Sequence, residues 1–91
     1  ETSKIILFFN KIIKIKSIDK ENLNLIKIKK AIYLFDTDEE ELIIKTLNPI
    51  INSESVWSKL SIQLISDYFL SRNQSSKADE YIQLLKNKKK D

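Results

Sequence analysis

The sequence predicts an all-α fold, a compact bundle of four to five short helices closed by a C-terminal helical hairpin. Apolar residues recur at spacings of three and four over most of the chain, the pattern that lines one face of a helix. Polar breaks at 17–19, 36–41, 52–55 and 71–76 cut it into segments of helical length. Strand signals are nearly missing: the alternation Lys14-Ile15-Lys16 admits a short strand, but no second strand pattern lies near it. At 91 residues, with 42% hydrophobic against 32% charged, the balance is that of one globular domain spanning 1–91.

Thr2 or Ser3 is placed to cap a first helix running to about Lys16. Its apolar positions are Ile5, Ile6, Leu7, Phe8, Phe9, Ile12, Ile13 and Ile15. These cover more than one stripe, because successive residues step about 100° around the axis, so the helix needs cover on two sides. Asp19 caps a second helix, Lys20 to Phe35, with Leu25, Ile28, Ile32 and Phe35 as its face. Lys27, Lys29 and Lys30 fall mostly on the opposite side and read as a solvated face.

Thr37, with Glu40 three residues on, spells a capping box for a third helix, and the acids from Asp38 to Glu41 complement the positive end of its dipole. They do not spell a calcium or magnesium site, which needs a loop that turns back on the ion and usually a glycine for that turn. Pro49, the only proline, ends or kinks the helix at Asn48 and opens a further turn. Residues 52–55 form a polar connector, with Ser53 or Ser55 capping the next helix.

Residues 56–88 predict the hairpin. Trp57, Leu60, Leu64 and Tyr68, with Ile65 and Phe69 alongside, line its first arm, and Ala78, Tyr81, Ile82 and Leu85 its second. Asn73, which tolerates the left-handed conformation, ends the first arm. At Ile65, Phe69, Asn73, Ala78 and Ile82 the stretch resembles a tetratricopeptide-type repeat over about one repeat. Asn73 stands where that family usually has glycine and Ala78 at its helix B alanine, while Ser66 replaces the early helix A glycine and no proline closes the unit. The resemblance implies stacking of helix pairs. A faint repetition agrees with it: the helices after Thr37 and Ser76 lie thirty-nine residues apart, near the period of helix-pair repeats. The tail, Lys86 to Asp91, frays from the last helix, its cations suiting the negative end of the dipole or a polyanion contact.

The chain has no cysteine, histidine, methionine or glycine. That inventory excludes zinc sites, thiol catalysis, imidazole bases and glycine-rich phosphate loops. The expectation is therefore a non-enzyme with no catalytic residue, cofactor, metal or small-molecule substrate. Sixteen isoleucines and fifteen lysines against two alanines and one arginine resemble the imprint of an A/T-rich coding sequence, so the missing glycine is not itself functional evidence. The first apolar run is too short to span a membrane, which takes about 20 residues, and it lacks the basic start and small-residue cleavage site of a signal peptide. An intracellular location is expected, cytoplasm and nucleus undistinguished. A chain beginning at Glu1 without methionine is expected to be a domain excised from a larger protein or a processed product.

The function expected is a non-catalytic protein–protein interaction or oligomerisation module, an assembly or scaffold domain. A domain this small buries about two-thirds of its unfolded surface at best. Phe8, Phe9, Tyr33, Phe35, Trp57, Tyr68 and Phe69 exceed what it hides. The expected partner-binding residues are Phe8, Phe9, Ile12 and Ile13 on the first helix, with Trp57 as a second anchor. The alternative is a basic helical domain making non-specific nucleic-acid contacts through Lys11, Lys14, Lys16, Lys27, Lys29 and Lys30, since residues 1–35 hold eight lysines and three acids. Against it stand the single arginine and the block 36–55, where six acids accompany one lysine and repel phosphates. A membrane-surface role for the first helix conflicts with hydrophobicity that is not confined to one face.

Overall fold

Helices form between the polar breaks. A computed structural model describes residues 2–15 and 17–89. It contains α1 (Thr2–Ile13), α2 (Lys20–Leu34), α3 (Glu40–Ile51), α4 (Ser58–Ser71) and α5 (Ser75–Lys89), with no strand among the described residues. Lys16, the expected end of the first helix, and the tail residues Lys90 and Asp91 lie outside the described residues. Thr2 and Ser3 belong to the first turn of α1 rather than preceding it as caps. The last helix does not fray at Lys86: it continues to Lys89, and Lys88 Nζ donates to the Ser53 carbonyl at 3.2 Å.

The caps follow local chemistry. Asp19 caps α2, its Oδ1 accepting from the Asn22 backbone N–H at 3.0 Å. The capping box at Thr37 does not form. Its hydroxyl donates to the Leu34 carbonyl at 2.7 Å and accepts from the Glu39 N–H at 3.2 Å, so it closes α2 instead of opening α3. α3 runs through Pro49 to Ile51, so the helix does not end at Asn48. Proline forfeits one bond, to the carbonyl of exposed Lys45, and a proline in a helix interior costs about 3 kcal/mol. Ile50 and Ile51, both 1% exposed, each contribute roughly 1.5–3 kcal/mol by burial and hold the last turn. Asn73 adopts φ 60° as expected. The Gln74 N–H reaches the Phe69 carbonyl at 2.9 Å and the Asn73 N–H the Leu70 carbonyl at 3.1 Å, which makes the end of α4 a Schellman motif.

Each helix packs chiefly on its sequence neighbours, α1 on α2, α2 on α3, α3 on α4 and α4 on α5. The molecule is a slab of 34 × 30 × 14 Å. The three inner helices are flanked on both sides, and α1 and α5 form its two ends. The core accordingly comes from Ile28, Ala31 and Leu34 of α2, from Ile43, Leu47, Ile50 and Ile51 of α3, from Ile62, Ile65, Tyr68 and Phe69 of α4, and from Ala78 of α5. α1 contributes no buried residue.

Two helices depart from their predicted faces, α4 only in part. α2 buries Asn24, Ile28, Ala31 and Leu34 and leaves Ile32 exposed, and α4 buries the predicted Ile65, Tyr68 and Phe69 together with Ser58, Ser61, Ile62 and Ser66 while leaving Leu60 exposed. Both are inner helices, so the residues at their closest approaches are small. The only two alanines, Ala31 and Ala78, are both fully buried.

Two polar clamps hold the slab. The Arg72 guanidinium donates to the carbonyls of Phe35 at 2.9 Å and Thr37 at 3.1 Å and to Asp38 Oδ1 at 3.0 Å, and lies 5.1 Å from the centre of the Tyr68 ring. It thus fixes the α2–α3 turn to the end of α4. Asp38 is almost wholly exposed, so its ion pair contributes little, whereas the carbonyl bonds are charge-assisted and partly buried. Arg72→Ala should cost about 2 kcal/mol in urea unfolding and Asp38→Ala less than about 0.5.

Glu21, in the first turn of α2, forms the second clamp. It accepts from Ser55 Oγ at 2.5 Å, from the Val56 N–H at 3.1 Å and from Asn24 Nδ2 at 3.2 Å. These donors, Ser55 first, lower its pKa below the ordinary 4.5 despite opposing desolvation. A depressed carboxylate stabilises the fold above its unfolded-state pKa and loses that contribution as pH falls through its folded value. Wild type should therefore lose stability below pH 4.5, and Glu21→Gln, less stable at pH 7, should lose less over the same interval in pH-dependent melts.

Candidate interaction surface

α1 is apolar enough for an inner helix, yet it has one principal neighbour. Ile6 packs partly buried against the core, and the Phe9 ring lies 5.6 Å from that of Tyr33 on α2. Those contacts settle which side of α1 faces inward. Leu7 and Phe8 are left 61% and 60% exposed, and Phe8 meets only the edge of Phe9, ring to ring at 6.2 Å. Ile15 beyond the end of α1, and Ile32 and Tyr33 of α2, are also exposed. Beside Leu7 opens a groove of about 600 Å³, in which Ile6 and Leu7 face Leu34 of α2 and Leu42 of α3.

The predicted partner-binding residues are only partly brought together. Phe8 stands open, while Phe9, Ile12 and Ile13 share α1 but are half-buried. Trp57 belongs elsewhere: it precedes α4 and is half-buried against the core, so the structure groups it with the α3–α4 connection rather than with α1. Its exposed neighbours there are Val56 and Leu60. Leu7 is the residue that sequence reasoning left out. Its signal was available, since Lys4 and Lys11, at i−3 and i+4, share its strip of the helix and mark that strip as outward.

The lysines of the basic first third also divide. Lys4, Lys11, Lys14 and Lys29 are exposed, whereas Lys27 and Lys30 are half-buried, and Lys16 lies outside the described residues. Lys27 and Lys30 therefore do not belong to a fully solvated face. Burial, and then the ammonium groups of Lys27 and Lys45, hold Lys30 below the ordinary lysine pKa. Two acids of the middle block are paired with cations: Glu40 accepts from Lys77 Nζ at 2.8 Å, and also from Gln74 Nε2 at 3.3 Å, and Asp38 accepts from Arg72. Among the described residues no helix is long and apolar enough to cross a membrane.

Comparison with protein-family models, with curated protein sequences and with solved structures finds no match for this chain.

Proposed function

We propose that the chain is a non-catalytic protein-interaction module, an assembly or scaffold domain, whose contact surface is the open side of α1. One observation carries this: a helix with the apolar content of an inner element sits at the end of the slab and buries none of its residues. Exposed apolar side chains scattered singly are ordinary, but here Leu7 and Phe8 adjoin each other beside an apolar groove. A helix laid against α1 would extend the neighbour-on-neighbour packing by one element and give α1 the second flank that α2, α3 and α4 already have. The partner is a protein surface offering an apolar helical face, a second copy of α1 included.

Sedimentation velocity over a concentration range, with fluorescence of a hydrophobic dye, tests this on the intact chain. A concentration-dependent dimer supports self-association, and a monomer that binds the dye supports an open site for a different protein. A strict monomer that leaves the dye dark overturns the proposal.

A further inference from the structure

We propose that the groove enclosed by α1, α2 and α3 is a binding site for a ligand carrying adjacent phosphate groups. Four lysines from three helices line it: Lys14 at the end of α1, Lys27 and Lys30 of α2, and Lys45 of α3, over an apolar wall that includes Ile13 and Leu42. The groove holds about 360 Å³, within the range of about 300–1,000 Å³ typical of small-ligand sites. This inference is independent of the apolar face of α1.

The charge balance of the groove is what favours an anionic ligand. None of the four lysines has an ion-pair partner, because the two ion pairs among the described residues are Arg72–Asp38 and Lys77–Glu40. Lys45 and Leu42 also border the adjoining depression lined by Asp38, Glu39, Glu40 and Glu41, but none of those acids lines this groove. Gathering like charges while half-burying Lys27 and Lys30 is unfavourable unless an anion is bound. The lowered pKa of Lys30, caused by burial and then by Lys27 and Lys45, registers that unrelieved repulsion.

Phosphate fits this set better than carboxylate. Arginine's planar fork matches carboxylate and phosphate alike, whereas lysine is a compact point charge that engages phosphate oxygens from many directions, so the preference rests on the density of charge that four lysines can neutralise. A phosphate group carries roughly −1.5 to −2 at neutral pH, so two adjacent groups balance about four ammonium ions. Thr46 also lines the groove, but its hydroxyl already donates to the Leu42 carbonyl at 2.7 Å, so the donors to a phosphate are the lysines.

The test is calorimetric titration of the intact chain with inorganic pyrophosphate at 150 mM salt. Saturable binding at one site is expected, weakened at least about tenfold in Lys27→Gln/Lys30→Gln and unchanged in Lys59→Gln/Lys86→Gln, whose lysines lie outside the groove. Lys14→Gln/Lys45→Gln provides a second groove variant should the first lose helicity by circular dichroism. Phosphatidylcholine vesicles containing phosphatidylinositol bisphosphate separate the two sources of clustered phosphate. Co-sedimentation that pyrophosphate displaces identifies a lipid headgroup, and pyrophosphate binding without co-sedimentation identifies a soluble ligand. Absence of pyrophosphate binding, or equal weakening in the groove variants and the Lys59/Lys86 variant, overturns the proposal.

Discussion

Phe69→Ala is expected to remove about 3–5 kcal/mol of stability, most of what a domain of this size possesses. Phe69 is the largest of the fully buried side chains. Its ring meets Tyr68 edge-on at 5.3 Å, stacks on Tyr81 of α5 at 5.8 Å, and lies under the Lys77 ammonium at 5.4 Å. Truncation therefore opens a cavity between α4 and α5 and also strips aromatic contacts from both neighbours. α5 depends chiefly on α4, since its one buried residue of the core is Ala78, and its tie to α3 is the surface ion pair of Lys77 with Glu40. Urea unfolding should show the midpoint falling by about 3–5 M at a slope near 1 kcal/mol/M, or no cooperative transition at all. Phe69→Leu, which keeps most of the volume, should cost under half as much. If Phe69→Ala is no more damaging than Phe8→Ala, the placement of the core is wrong.

The helices were legible because breaks are local chemistry: Asp19 caps α2, and Asn73 turns left-handed after α4, as the residue types require. The faces were not legible to the same degree, and isoleucine is the reason. In α2 apolar residues occupy most of the circumference, so periodicity alone allows several rotations, and the choice falls to the small residues. Ala31 lets the neighbouring helix approach, which drives Ile32 outward. α4 shows the same effect with polar residues. Ser58 is buried because its hydroxyl donates to the Ile51 carbonyl at 2.8 Å, and Ser61 and Ser66 are buried with no hydrogen-bond partner at all. A search for large apolar side chains passes over all three.

Helix ends shaped by tertiary contacts were equally hidden. Thr37 has the sequence of a helix start, but its hydroxyl and its backbone N–H both donate to the Leu34 carbonyl at the end of α2, and the Arg72 guanidinium binds the carbonyls of Phe35 and Thr37 across the turn. Arg72 is thirty-five residues away, and nothing in the spacing announces it. The groove was hidden for a related reason. Lys27 and Lys30 align with Lys45 and Lys14 only once three helices are in place, and from the sequence they are indistinguishable from solvated lysines.

Leu7→Asp/Phe8→Asp should abolish the association assigned to α1 while leaving the fold intact. Both side chains are about three-fifths exposed, so charging them forfeits little burial, and the urea midpoint should move by less than the equivalent of about 1 kcal/mol. At an interface the same two residues act as central apolar anchors. Burying two unpaired carboxylates there should weaken binding at least about 100-fold, equivalent to about 3 kcal/mol or more, and quench the dye signal. The contrasting pair is Ile6→Asp/Phe9→Asp, one turn of the same helix but facing Tyr33 and the core. Carboxylates there lose their hydration against α2, so α1 should detach, the midpoint should fall, and dye binding should rise instead of vanish as Leu34 and Tyr33 are uncovered. Opposite responses from two pairs of adjacent apolar residues follow only if α1 has one satisfied side and one open side. If both pairs destabilise alike and neither alters association, α1 is simply the last layer of a closed bundle.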